Sequence, residues 1–253
     1  MDNENDGELA EEHRPEIICE KLKRPAKENV VSEAVLGGID GCVTTFAVVS
    51  GVVGAGFSPS VALVMGFANL IADGFSMAVS NYESIKTDRD FVQNIRDAEK
   101  EHIDKIPSGE REEIRQIFRN KGFSGEVLEE IVNTISADQH LWIETMLTEE
   151  HGVQKNSRDP VKAAITTFAS FVIVGSMPLM PLFASGLEKN AQFLISAFLA
   201  ALMFFSIGVM KSRIFSKTAI SSGIGTLLTG GTAASLAFFV GYALRELFGI
   251  ASL

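Results

Sequence analysis

Long apolar runs alternate with strongly polar stretches along this chain, and the lengths of the runs decide what they are. Two come early. One reads SEAVLGGIDGCVTTFAVVSGVVGAG around Asp40, the other PSVALVMGFANLIADGFSMAVSNY around Asp73. Three more follow a polar interruption, at 163–184, 191–210 and 219–244, and none of these carries a charge. Each run reaches the roughly 20 residues that a helix needs to cross a bilayer. The pattern predicts an all-α, multi-pass membrane protein with five transmembrane helices and a helical insert between the second and third. It divides the chain into a polar tail at 1–28, a helix pair at 29–85, the insert at 86–158 and a three-helix group at 159–253.

The insert has helical patterning of its own. No breaker interrupts the sequence from Ser76 through Lys105, so the second membrane helix is expected to run on past the bilayer until Pro107. Ser108 is placed to cap a second helix, closed by Lys121 and Gly122, and Ser124 a third. A further amphipathic helix is expected from about Asp138 to His151, closed by Gly152, with Leu141 and Met146 on its apolar stripe. The polar tail is expected to be disordered.

Charge orients the chain. Lys21, Lys23, Arg24 and Lys27 precede the first run, and Lys211, Arg213 and Lys217 separate the fourth from the fifth, while the opposite loops are nearly neutral. The positive-inside rule then places the N-terminus and the insert in the cytoplasm and the C-terminus outside. The net charge is -10, and residues 83–159 hold 18 acids against 11 bases. An acidic face excludes nucleic acid as a partner and suits cation capture. Two cysteines, one in the tail and one in a membrane run, provide no disulfide framework, and no cleavable signal peptide is visible. Gly37 and Gly41, like Gly225 and Thr229, stand four apart, which permits close packing within one chain or dimerisation.

The chemistry lies in two places. Asp40 and Asp73 would put carboxylates at membrane depth, where they are costly and usually handle an ion or a proton. In the insert, Glu99 and His102 are three apart, Glu110 and Glu113 three apart, and Met146 and Glu150 four apart, so each pair shares a helical face. Carboxylates, an imidazole and a thioether suit a first-row divalent metal better than calcium, which prefers oxygen ligands from a loop. Most Glu-rich faces are merely solvated, and spacing alone leaves that reading open. Glu99 to His102 is also a Glu-x-x-His half-site of the di-iron kind, but no second one follows, and His13, His140 and His151 lack the spacing. There is no phosphate-binding Gly-rich loop with Lys.

Gly38-Ile39-Asp40-Gly41, then Ala72-Asp73-Gly74-Phe75-Ser76-Met77-Ala78 with Asn81-Tyr82, then a Glu-rich insert and three more apolar runs resemble the vacuolar iron transporter family over about residues 30–250. The resemblance implies a homodimer of five-helix subunits that exports Fe(II), and often Mn(II), from the cytoplasm in exchange for protons. It implies a pore between the first two helices of both subunits and a metal-binding insert. Asp40 and Met77 correspond to pore ligands. Asn69 falls where plant members have Glu, a departure for which Asp73, one turn before Met77, offers a substitute. Glu99, Glu110, Glu113, Met146 and Glu150 correspond to insert ligands, with His102 in place of a plant Glu. The implied protein is a transporter, not an enzyme. It has no prosthetic group, takes divalent metal as substrate, and resides in a bacterial inner membrane or a vacuolar or other organelle membrane. A membrane-anchored metal buffer or sensor, and a ferroxidase-like protein, are the alternatives.

Overall fold

The computed structural model describes residues 11, 13–23, 30–153, 158–184, 186–215 and 218–249. Arg24, Lys27 and Lys217, which enter the orientation argument, lie outside them. Among the described residues the chain is helical, without strands, and five helices are long and apolar enough to cross a membrane.

Helix α1 (Pro15–Lys23) lies in the tail, where the sequence pattern predicts disorder. Its residues account for the helix at 15–23: Ile17, Ile18 and Leu22 fall on one face, and Pro15 opens it. Helix α2 (Val31–Gly54) is the first membrane helix. Helix α3 (Pro59–Lys105) starts with proline at its first turn and runs 47 residues without a break, as the lack of breakers predicts. Three shorter helices complete the insert: α4 (Pro107–Asn120), α5 (Gly125–Ser136) and α6 (Gln139–Glu149). The remaining spans are α7 (Pro160–Ser176), continued by a 3-10 segment at Met177–Phe183, then α8 (Lys189–Phe215) and α9 (Ala219–Phe248).

Several local expectations change. Ser108 does not cap α4, because Pro107, with its fixed φ and missing N–H, begins the helix one residue earlier. Ser124 sits at the N-cap of α5 without a side-chain bond. Asp138 does cap α6, accepting from the amides of His140 and Leu141 at 2.9 and 3.2 Å. That cap sets the phase of α6, so Trp142, Ile143, Met146 and Leu147 face inward while Leu141 is exposed. The third apolar run is not one α-helix. Pro178 and Pro181 remove two amide donors and tighten its end into the 3-10 segment. Two side chains of α8 tie down this end: Ser196 donates to the Pro178 carbonyl at 2.6 Å, and Gln192 donates to the Ala184 carbonyl just past the segment at 2.8 Å.

Two hydrophobic clusters form among the described residues. In the membrane part, Cys42, Phe46, Val49, Leu70, Phe171, Leu179 and Phe204 join α2, α3, α7, α8 and the 3-10 segment. Helix α2 is the central one, with half its apolar window buried. Its glycines make that possible: a Cβ on Gly41 would stand 2.4 Å from the Phe171 carbonyl oxygen, and one on Gly37 2.3 Å from that of Thr167. The Gly37/Gly41 pair therefore packs α2 on α7 of the same chain, whereas a Cβ on Gly225 would meet nothing within 4 Å. Val64, Ile71, Phe75, Leu194, Phe198, Leu228 and Phe239 point outward, the apolar exterior that a bilayer requires. In the insert, Ile103, Ile114, Leu128, Val132, Ile135, Trp142, Ile143, Met146 and Leu147 make a separate core from all four helical pieces.

Candidate metal centre

The insert core fixes the helices, and the helix ends aim acids at one another. The last turns of α3 carry Glu99 and His102, the first turn of α4 carries Glu110 and, one turn on, Glu113, and the end of α6 carries Glu150. Glu99 and Glu110 are buried, at 3% and 5% exposure. Oε2 of each is buried without a hydrogen-bond partner. His102 Nδ1 lies 3.5 Å from Oε1 of Glu110. The structure brings Glu99, His102, Glu110, Glu113 and Glu150 close enough for their charges to act on one another. Met146 is different: it is fully buried in the insert core, where its first role is packing.

Crowded, poorly hydrated carboxylates hold protons tightly. Burial, then the neighbouring charges of Glu113, Glu99 and Glu150, push Glu110 up to about 7, with His102 opposing. Glu150 is raised for the same reasons, burial first and then Glu113 and Glu99. Either protons or a cation must offset this charge, and a divalent ion offsets more of it.

His151 is the residue that sequence spacing misses. Its Nε2 lies 2.9 Å from Glu99 Oε1 and 3.8 Å from Glu150 Oε2. Glu99, Glu150 and His151 each present one ligand atom within 4.8 Å of the others. Adjacent helical residues diverge by about 100°, so Glu150 and His151 should not share a target. They do because the helix end unwinds: the amides of both bond to the Met146 carbonyl, at 3.0 and 3.2 Å, and Gly152 turns left-handed at φ 64°. The glycine directly after His151 is the one signal in the sequence that points to this turn.

In the membrane part, Asp40 on α2 is half-buried and near enough to Asp73 on α3 for their charges to interact. Asn69, Asp73 and Met77 stand four apart along α3. Met77 packs against the membrane core, and the Asn69 amide nitrogen is buried without a partner.

Five membrane-length helices, two of them bearing a carboxylate within the apolar span, joined to a helical insert, define the class as a multi-pass membrane protein. The VIT family profile matches residues 31–242, and the chain belongs to that family, whose members are transporters and not enzymes. It is 30% identical over 228 residues to the vacuolar iron transporter of Toxoplasma gondii, covering 87% of this chain and 76% of that one. It is 30% identical over 221 residues to the vacuolar iron transporter of Plasmodium falciparum, covering 84% and 81%. Vacuolar iron transporter 1 of Eucalyptus grandis is 26% identical over 248 residues, 97% of this chain and 99% of its own.

Proposed function

We propose that this protein carries Fe(II), and Mn(II) with it, out of the cytoplasm into an organelle of the vacuolar kind in exchange for protons, working as a homodimer. The observation that carries the reading is the insert's buried carboxylate cluster, in which Glu99 and Glu110 each keep a buried oxygen without a partner. Buried charge of one sign is expensive unless something compensates it. A divalent metal compensates it best, and the relatives' names specify iron.

In this reading the insert lies in the cytoplasm and collects the ion on Glu99, His102, Glu110, Glu113, Glu150 and, by its thioether, Met146. The ion then passes to Asp40 and Met77, with Asp73 serving where Asn69 has no charge to offer. A carboxylate binds metal only when deprotonated, so metal and proton compete for Asp40 and exchange follows. The Met77 thioether disfavours Mg(II) and Ca(II). The incompletely covered α3 face that bears Asn69, Asp73 and Met77 supports completion of the path by a second copy.

The test is Fe(II) uptake by proteoliposomes with and without a pH gradient. Uptake should require the protein and rise when the gradient drives protons against the metal. Uptake indifferent to the gradient removes the exchange, and no uptake of any divalent metal removes the reading.

A further inference from the structure

We infer that His151 is a direct ligand of the ion held in the insert, and that it turns the site toward Fe(II), Co(II) and Zn(II) and away from Mn(II). This rests on the insert binding a transition metal, as proposed above.

His151 Nε2 and Glu99 Oε1 are at hydrogen-bond distance, 2.9 Å, and the same geometry fits ligation of a shared ion. Two ligand atoms about 2.1 Å from a common ion stand about 3.0 Å apart at a right angle and about 3.4 Å apart at the tetrahedral angle. The separations from His151 Nε2 to Glu99 Oε1 and Glu150 Oε2, 2.9 and 3.8 Å, bracket those values. One imidazole nitrogen thus faces carboxylates from two helices. The contact to His151 uses one oxygen of Glu99 and leaves the other buried without a partner, an acceptor still available to an ion. The cluster that results has four carboxylates and two imidazoles, His102 against Glu110 on one side and His151 between Glu99 and Glu150 on the other.

The second imidazole matters for selectivity. Carboxylates alone suit Mg(II), Ca(II) and Mn(II), whereas imidazole suits iron, cobalt and zinc. Each nitrogen that replaces an oxygen widens the gap along the series from Mn(II) to Zn(II). The backbone supports the role: the unwound end of α6 and Gly152 hold His151 beside Glu150, where a regular helix would turn it away.

The experiment uses the full chain purified in detergent. Co(II) and Mn(II) affinities are measured by calorimetry for wild type, His151→Leu and His151→Gln. Gln places an amide nitrogen near the position of Nε2, so it preserves a hydrogen bond to Glu99 but is a poor ligand. Losing an outer partner of a metal ligand already costs about 10–100-fold in affinity. Both variants should therefore lose at least about tenfold for Co(II) and less than about threefold for Mn(II). Pulsed EPR of bound Mn(II) should show nitrogen coupling that weakens in both variants. If His151→Gln restores Co(II) binding, or both metals weaken equally, or the nitrogen coupling is unchanged, His151 only positions Glu99 and the inference falls. If wild type binds no transition metal, the function proposed above fails instead.

Discussion

At the scale of single residues, Glu110 is the group through which the proposed insert site would tie metal binding to pH. In the metal-free protein it keeps its proton up to about 7, against 4.5 for a free glutamate. Between those values the folded chain holds a proton that the unfolded chain has lost. The metal-free insert is thus stabilised by that proton at the acid end and loses the contribution as pH rises through 7. Metal must expel the same proton, so its affinity should climb over the same window. Co(II) titrations at about pH 6 in buffers of different ionisation enthalpy should show close to one proton released from this group per ion, and Glu110→Gln should abolish that release. A flat affinity between about pH 5 and 7 would remove Glu110 from the site. In the membrane part, Asp40→Ala should abolish Fe(II) uptake in proteoliposomes with folding intact, and Met77→Ala should weaken uptake and let Ca(II) or Mg(II) compete. Unchanged competition curves for Met77→Ala would show that the thioether is not a ligand. Helical spacing makes Glu99, His102, Glu110, Glu113 and Glu150 legible only as candidates, a pattern that solvated faces share equally; the family resemblance is what gathers them into one expected site. Spacing cannot reveal His151, because the three-and-four rule assumes a regular helix and α6 stops being one at Glu150.

At the scale of elements, the two small-residue pairs make opposite predictions. Gly41 has the Phe171 carbonyl oxygen 2.4 Å from where a Cβ would stand, and backbone cannot rotate away. Gly41→Ala should force α2 from α7 and cost about 1–3 kcal/mol, the usual range for overpacking. Gly225 faces open space, and Gly225→Ala should gain up to about 1 kcal/mol of helix propensity. Thermal unfolding in detergent should lower the midpoint for the first and leave or raise it for the second. A drop for both would mean that α9 also packs through its small residues, against a second copy. The five spans are readable from run length, since nothing else in a protein of this size needs five uninterrupted apolar stretches. Their ends are not. Helix α8 continues to Phe215 and α9 to Phe248 because hydrogen bonding propagates past the point where hydropathy falls. The third span ends in a 3-10 segment because Pro178 and Pro181 lie inside the run, a local feature that mean hydropathy averages away.

At the scale of the whole molecule, α3 is the link between the two chemistries. It carries Asn69, Asp73 and Met77 in its membrane half and Glu99 and His102 near its other end, with 47 residues in one helix. At about 1.5 Å per residue it is a rod of about 70 Å, and the 22 residues from Met77 to Glu99 span about 33 Å. Glu33, buried at the start of α2, lies 3.6 Å from Arg158, whose carbonyl accepts from Arg89 of α3 at 2.6 Å. These contacts brace the rod where it leaves the membrane part. If the insert passes its ion to the membrane path, the stiffness and aim of this rod should matter to flux and not to binding. Asp88 is exposed on α3 between the two sites. Asp88→Pro would remove one backbone bond and clash with the preceding turn, costing about 3 kcal/mol locally and kinking the rod. The insert has its own core, drawn from the far end of α3 and from α4, α5 and α6, so Co(II) affinity should stay within about threefold of wild type. Fe(II) uptake by proteoliposomes should fall sharply, because the ion would be released at the wrong place. Normal uptake by a variant that still binds metal would mean that the insert only raises the local ion concentration, and that α3 need not aim it.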